Sequence, residues 1–246
     1  MTENHDPQLY SELVAEHYDQ LYPDDPDTAA AVERLSELAG GGPVHELGIG
    51  TGRFALPLVH RGIAVHGTEA SPAMVSKLRA RPRGEDIPVT IGDFSQVTPP
   101  GGPFSLAFVV FNTIFAVGST AAQIACFEKV SQRLSPGGRF LIEAFVVDPR
   151  DFHHGRAIEI RTMSAERVEL QLAEYDEVGH KLKRVFLNVL DGETKLHIAN
   201  DTYATPGELD LMARMAGLEL EHRWSDWKLS PFTSHSTRHV SVYVKP

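Results

Sequence analysis

The sequence predicts an α/β fold in which a parallel sheet carries helices on both of its faces. Apolar strands alternate with helical segments between residues 43 and 148, and this alternation favours parallel strands joined by crossover helices. Between residues 156 and 203 polar and apolar residues alternate instead, which is typical of antiparallel strands. With 246 residues, of which 42% are hydrophobic, the chain can bury one sizeable core.

The predicted elements follow one another along the chain. A helix over residues 8–22 ends at Pro23, and a second helix over 27–39 ends at the glycines 40–42. Three or four antiparallel strands, with turns near Gly179 and Gly192, precede a last helix. The other predicted segments are strands before residue 48 and at 62–70, 89–94 and 104–111, a helix from 120 to a Pro-Gly-Gly turn at 136–138, a strand to 143, the last helix at 206–216, and closing strands at 218–224 and 239–244.

The segment VHELGIGTGR, residues 44–53, is the most informative part of the chain. Glycines without Cβ let the backbone turn sharply after a strand and approach a ligand, and the next helix offers free N–H groups. The loop is therefore predicted to hold a nucleotide-like ligand. A dinucleotide fingerprint fits from Gly50 onward, with Glu69 nineteen positions later, but it leaves Gly48 and Glu46 without a role.

The pattern E-x-G-x-G-x-G uses all of these loop residues and resembles motif I of the class I S-adenosylmethionine (SAM)-dependent methyltransferases. The resemblance implies a seven-stranded Rossmann-like sheet with helices on both faces, SAM as cofactor, and S-adenosyl-L-homocysteine (SAH) as product. The loop of that family receives the amino-acid half of SAM, so an acidic residue suits its ammonium group. The cofactor-binding residues implied here are Glu46, Gly48, Gly50, Gly52 and Arg53.

Three later segments extend the resemblance to residue 143. Glu69 ends the second strand, where the family places a carboxylate on the ribose hydroxyls, and a solvated strand-end acid is the alternative. Asp93 is implied to bind the adenine amino group and Phe94 to flank the ring, although Asp93 is also a common turn residue. The Leu-x-Pro-Gly-Gly sequence at 134–138 enters the fifth strand as it does in the family. Further implied cofactor contacts are Ala70, Met74 and Phe111.

The antiparallel insert narrows the resemblance to bacterial natural-product N-methyltransferases that act on small molecules or peptides, including aminosugar N,N-dimethyltransferases. Residues 201–218 also resemble methyltransferases of ribosomal peptide antibiotics. The resemblance implies that the insert forms a cap or a dimer surface, and therefore a homodimer. The predicted domain organisation is 1–150 for the N-terminal helices and SAM-binding core, 151–204 for the insert, and 205–246 for the last helix and closing strands.

Tyr18 and Tyr22 belong to the predicted N-terminal helix and lie four residues apart, on one helical face. They resemble a Y-D-x-x-Y element that covers the cofactor in the aminosugar enzymes. This resemblance makes both tyrosines catalytic candidates and implies that Tyr22 assists the acceptor amine. An amphipathic helix that packs its tyrosines on the core is the alternative interpretation.

Further candidates follow the fourth and fifth strands or lie near the C-terminus. Asn112 stands at the edge of the sheet where ligands of open α/β folds bind, so it is a candidate to orient the acceptor, and Phe115 is a candidate pocket wall. His154 is a candidate general base at neutral pH, with a surface histidine pair as the alternative. Trp224 and Trp227 are candidates to line the substrate mouth, or else core residues.

Composition and residue patterns argue against several functions, although a local basic patch is not ruled out by the net charge. A net charge of −10 argues against nucleic-acid binding, because such proteins carry basic faces. No apolar stretch predicts a membrane span and no signal-peptide pattern is present, so the expected location is cytoplasmic. Scattered histidines predict no metal site. Cys126 lies within an apolar helical pattern and is interpreted as a buried structural thiol.

The predicted function is transfer of a methyl group from SAM to a nitrogen of a small molecule or short peptide, in secondary metabolism. An oxygen acceptor is the nearest alternative. A non-catalytic SAM-binding module and a nicotinamide-binding oxidoreductase are two more, but the oxidoreductase lacks a Tyr-x-x-x-Lys pattern and gives Glu46 no role.

Overall fold

The computed structural model describes residues 26–164, 166–190 and 193–246. Its helices are α1 (Pro26–Ala39), α2 (Ala55–His60), α3 (Pro72–Arg79), α4 (Thr120–Arg133) and α5 (Pro206–Met215). Its strands are β1 (Val44–Leu47), β2 (Val65–Glu69), β3 (Val89–Ile91), β4 (Phe104–Val109), β5 (Leu134–Phe145), β6 (Arg156–Met163), β7 (Arg167–Asp176), β8 (Lys181–Leu190), β9 (Glu193–Thr202), β10 (Glu219–Trp224) and β11 (Arg238–Val244). The helix predicted over residues 8–22, with Tyr18 and Tyr22, lies outside the described residues.

Seven strands form the central sheet in the order β10-β11-β5-β4-β1-β2-β3. Strand β1 pairs in parallel with β2 on one side and with β4 on the other, whereas β11 is antiparallel to both β5 and β10. The predicted seven-stranded α/β sheet is therefore confirmed. Because the strand order reverses between β1 and β4, the carboxyl ends of these two strands form the crevice in which ligands of open α/β sheets bind.

Two hydrophobic cores cover the two faces of the central sheet. Leu35 of α1 and Phe108 of β4 belong to one core, and Phe127 of α4 and Ala107 of β4 belong to the other. Consecutive residues of β4 thus enter different cores, which explains why its sequence is an almost unbroken apolar run. Cys126 is fully buried in the second core, as predicted, and burial raises the pKa of its thiol.

Strands β6 to β9 form a second, antiparallel sheet of four strands between β5 and α5. Its inner face packs on the central domain: Leu182 and Phe186 are buried, and the Arg184 guanidinium lies 4.9 Å from the centre of the Phe145 ring. Its outer face carries aliphatic side chains that stand opposite one another in register. These outer-face residues are Ile158, Ile160, Val168, Leu170, Leu172, Val185, Leu187, Val189, Leu196 and Ile198.

The start of β5 differs from the prediction. The sequence predicts a Pro-Gly-Gly turn before this strand, but β5 begins at Leu134, directly after α4. The pairing with β4 shifts between Phe104 and Leu106, so that residues 135–138 form a bulge within β5. Gly137, with a φ of +73°, provides the left-handed conformation inside this bulge.

Candidate functional site

The loop between β1 and α2 is shaped by three glycines in left-handed conformations. Their φ angles are +72° at Gly48, +54° at Gly50 and +84° at Gly52. A Cβ on Gly48 would lie 2.7 Å from Thr113 Cγ2, and one on Gly52 would lie 2.4 Å from Leu78 Cδ1, so a side chain at either position would displace its neighbour. A Cβ on Gly50 would meet no atom within 4 Å, so the open side of the loop is at Gly50.

A cleft of about 320 Å³, including space open to solvent, lies above this loop at the carboxyl ends of β1 and β4. It brings together predicted cofactor residues from two separate segments: Glu46, Gly48, Gly50, Arg53 and Phe111. The sequence did not single out its other lining residues, which are Ile49, Thr51, Phe54, Val110 and Thr113.

Glu46 is the buried carboxylate of this cleft. Only 2% of the residue is exposed, and its Oε2 has no hydrogen-bond partner among the described residues. Burial and then the nearby Glu69 raise the pKa of Glu46 well above its ordinary value, and a backbone N–H of Ala55 partly opposes this. An orphaned buried oxygen of this kind fits a positively charged ligand group, such as the ammonium of SAM.

Glu69 ends β2 beside the glycine loop. The backbone N–H of Gly50 donates to one carboxylate oxygen and that of Ser71 to the other, both at 2.9 Å. Burial raises the pKa of Glu69, and these N–H donors lower it in part. A carboxylate oxygen can accept more than one hydrogen bond, so Glu69 keeps the capacity to accept two hydroxyls while it holds the loop.

The residues predicted around the adenine lie outside the large cleft. Met74 is buried in α3, whose N-terminus is capped by the Ser71 side chain. The Asp93 carboxylate accepts bonds from Ser95 N (2.8 Å) and from Gln96 Nε2 (3.1 Å), which is the turn role left open by the sequence. Phe94 lines a separate recess beside α4, of about 220 Å³ including space open to solvent. Ala70 is half-buried after β2. Cofactor contact by these residues stays a prediction.

The exit of β4 is a strained turn fixed by β5. Phe111 and Asn112 both have left-handed backbones, with φ of 60° and 65°, which non-glycine residues rarely adopt. Phe111 N–H donates to Glu143 Oε2 (2.6 Å), and Asn112 N–H donates to the Glu143 carbonyl oxygen (3.2 Å). Phe145 N–H donates to Asn112 Oδ1 (2.7 Å). The amide oxygen of Asn112 is therefore occupied, and only its NH₂ group is left to orient an acceptor.

Arg53 connects the glycine loop to this turn. Its guanidinium lies 4.9 Å from the centre of the Phe111 ring, within the range of a cation–π contact. Its Nε and Nη2 donate to Thr28 Oγ1 at 3.1 and 2.6 Å. Next to Thr28, the Asp27 carboxylate pairs with Arg238 at 2.7 Å. The start of α1 and the end of β4 are thus joined across the cleft.

Glu143 is the residue of this region that the sequence analysis missed. It is half-buried near the end of β5, and burial raises the pKa of its carboxyl group. The Phe111 N–H, Arg238 and Arg53 lower that pKa, and Asp27 raises it further. A signal was present, because Glu143 closes the predicted fifth strand just as Glu69 closes the second.

Four other candidates lie away from the large cleft. Phe115 is fully buried and packs against Phe145 and Tyr203, with ring centroids 5.1 and 5.2 Å apart. Trp227 is buried in the first core, and Trp224 packs against that core while it stacks on His222. His154 is exposed, with the His153 ring 4.3 Å away. These contacts agree with the alternative interpretations, which are core packing for the aromatic residues and a surface pair for the histidines. Acceptor binding by these residues stays a prediction.

The described ranges hold neither a metal-binding cluster nor a membrane-spanning helix. They contain no group of three or more His, Cys, Asp or Glu side chains arranged to hold a metal ion. Among the same residues, no helix is both long and apolar enough to cross a membrane.

Comparisons with known proteins point in one direction. The family described as "Methyltransferase domain" matches residues 44–138. A cypemycin N-terminal methyltransferase from a Streptomyces species is 28% identical over 96% of this chain and 98% of its own length. The structure of the CcbJ methyltransferase from Streptomyces caelestis is 32% identical, with a TM-score of 0.87 over 97% of this chain and 98% of that one. SAM-bound CalS10, an amino pentose methyltransferase from Micromonospora echinaspora, shares the fold at 19% identity, with a TM-score of 0.70 over 95% and 97% of the two chains.

Proposed function

The chain belongs to the SAM-dependent methyltransferases, and on this premise we propose that it methylates a nitrogen atom of a small molecule or short peptide. Bound SAM supplies a methyl group on a positively charged sulfur, which is the electrophile of such reactions. The protein has to hold an acceptor behind that methyl group and exclude water from it. The described residues of this chain provide a cleft for that purpose.

The observation that carries the proposal is the pair of buried carboxylates, Glu46 and Glu69, beside the glycine loop. Glu46 has an orphaned oxygen suited to the ammonium of the cofactor, and Glu69 has spare acceptor capacity suited to the ribose hydroxyls. A pyrophosphate on the glycine loop would be repelled by a charged Glu46, which argues against a dinucleotide. We therefore assign cofactor binding to Glu46, Glu69 and the glycine loop.

Nitrogen is proposed as the acceptor atom because of the relatives' names. The cypemycin enzyme is named for methylation of an N-terminus, and an X-ray structure of the sugar N-methyltransferase KedS8 shares the fold with a TM-score of 0.63. An oxygen acceptor is the second candidate function. The proposal further includes a role in natural-product biosynthesis, a cytoplasmic location and no nucleic-acid partner.

The outer face of the inserted sheet supports the proposed homodimer. Its aliphatic residues include Ile158, 74% exposed, and Leu196, 64% exposed. Contiguous apolar patches of this kind are uncommon on monomers and mark association surfaces. We therefore propose that residues 151–204 provide the dimer contact, that 1–150 and 205–246 form the catalytic body, and that Tyr18, Tyr22 and Asn112 serve the acceptor.

Mass spectrometry after incubation with methyl-deuterated SAM tests the proposed reaction. Aminosugars, amino acids, short peptides with free N-termini and phenols would serve as acceptors, and reactions without protein as controls. A labelled amine is the expected product. Label on oxygen alone would replace the proposal by its second candidate. SAM binding without transfer to any acceptor would favour a non-catalytic module.

A further inference from the structure

The carboxylate of Glu143 is not accounted for by the cofactor site. Along the central sheet, Glu69 lies at the end of β2, Glu46 in β1, Phe111 after β4 and Glu143 near the end of β5. The proposed cofactor contacts Glu46 and Glu69 occupy the β1–β2 side of this edge. The β4–β5 side is left for the other reactant, and Glu143 lies on that side.

Within the described part of the chain, the hydrogen bonds of Glu143 leave one carboxylate oxygen without a partner. Its Oε2 accepts the Phe111 N–H, and no described residue bonds to its Oε1. Arg53 and Arg238 are close enough to act on its charge, but neither forms an ion pair with it among the described residues. A half-buried carboxylate whose second oxygen accepts no bond from a described residue can still accept a donor, and a cationic ligand would pair with its charge.

We infer that the Glu143 carboxylate, fixed by the backbone of Phe111 beside the cleft that Phe111 lines, binds the positively charged amine of the methyl acceptor. The inference rests on the proposed function and narrows it to acceptors that arrive as cations. Most aliphatic amines are protonated near neutral pH, since their pKa values lie at about 8 to 10. Phenols and carboxylic acids do not arrive as cations, so this carboxylate selects nitrogen over oxygen.

Sinefungin provides a test that needs no knowledge of the acceptor. In this SAM analogue a carbon that bears an amino group replaces the methylated sulfur, so its amine points towards the acceptor side. SAH has neither the methyl group nor this amine. The ratio of the two dissociation constants, measured by calorimetry, therefore reports the charge on the acceptor side independently of the rest of the cofactor site.

Glu143→Gln is the decisive variant, because its amide oxygen can still accept the Phe111 N–H while the negative charge is lost. We expect its preference for sinefungin over SAH to fall about tenfold, with SAH affinity unchanged, since hydrogen bonds to charged groups contribute at least this much. Glu221→Gln is the matched control. It neutralises a carboxylate of β10 that accepts two hydrogen bonds from Arg139, and it should leave the preference for sinefungin over SAH unchanged.

The pH dependence distinguishes binding of a charge from support of the turn. The sinefungin preference of the wild type should decrease as the pH falls through the pKa of Glu143, in the field of Arg53, Arg238, Asp27 and the Phe111 N–H. The Gln variant should show no such decrease. An unchanged ratio in Glu143→Gln, or an equal loss for both ligands, would overturn the inference. Failure of the wild type to bind SAH would instead overturn the proposed cofactor site.

Discussion

The strands of the central sheet are covered on both faces, whereas the inserted sheet is covered on one face only. In β5, Leu141 and Ile142 point to opposite faces and both are fully buried. In β9, Leu196 is 64% exposed, and it shares the outer face with its register partner Leu187 and with Leu170, which pairs with Leu187. Aliphatic side chains thus complete a core in one sheet and form a surface in the other.

We expect the two sheets to have different roles because of this difference in burial. The cleft lies where β1 and β4 of the central sheet end, and none of the described residues that line it comes from β6 to β9. The inserted sheet exposes an apolar face, and burial of such a face away from water is favourable. We expect substitutions in the central sheet to change folding and cofactor affinity, and those on the outer face to change association.

The same substitution in the two sheets should have very different effects on stability. Leu141→Ala removes a fully buried side chain and should lower the free energy of unfolding by about 2–5 kcal/mol. Leu196→Ala should lower that of the monomer by less than about 1 kcal/mol, because the side chain is already largely in water. Urea titrations at a protein concentration that favours monomers would measure both. Equal losses would remove the distinction between the sheets.

Cofactor affinity should depend on the central sheet alone. Glu69→Ala removes a carboxylate proposed to accept two hydroxyls, and bonds to charged groups contribute about 1.5–3 kcal/mol each, so SAM affinity should fall at least 100-fold. Calorimetry would measure the affinity. Thermal unfolding would check that the variant still folds without the hydrogen bonds from Gly50 and Ser71 to Glu69. Leu196→Ala is the comparison variant and should bind SAM as the wild type does. An unchanged affinity in Glu69→Ala would remove this residue from the site.

Charge on the outer face should break the proposed dimer. Leu196→Lys would bury an ammonium in the contact and should weaken dimerisation by about 2 kcal/mol or more, roughly 30-fold. Light scattering across a concentration series would show the dissociation. Leu211→Lys is the matched control, because Leu211 is 58% exposed but belongs to α5 and not to the outer face of the inserted sheet. A wild type that is monomeric at micromolar concentration would contradict the dimer itself.

Local patterns predicted the strands well because burial leaves different periods in the two sheets. The closing strands, predicted at 218–224 and 239–244, form over Glu219–Trp224 and Arg238–Val244. The alternation of polar and apolar residues also predicted that the inserted strands have two different faces. Which of these faces meets the core was not readable, because that depends on the packing of Arg184 against Phe145, far away in the sequence.

The cofactor half of the site was more predictable than the acceptor half. A contiguous motif encodes the loop from Glu46 to Arg53, since turn and ligand contacts are made by neighbouring residues. The hydrogen bond from Phe111 N–H to Glu143 joins residues 32 positions apart and exists only because β4 pairs with β5. No spacing in the sequence encodes that contact.

The smallest expected effect concerns the conflict between stability and cofactor binding at Glu46. Burial and Glu69 raise its pKa in the folded protein, so the folded state holds this proton more tightly than the unfolded chain does. The resulting stabilisation is complete below the ordinary carboxyl pKa and is lost as the pH rises through the raised value. Ligand-free wild type should therefore lose stability over this range.

Glu46→Gln is uncharged at every pH and should escape that loss. We expect the ligand-free variant to exceed the wild type by about 0.5–2 kcal/mol above the raised pKa, with the difference vanishing near pH 4, while its SAM affinity falls. Urea titrations across pH would measure this. Glu221→Gln should have the opposite sign at neutral pH, because Arg139 lowers the pKa of Glu221. If Glu46→Gln lost stability with rising pH as the wild type does, ionisation of Glu46 would not be the cause of that loss.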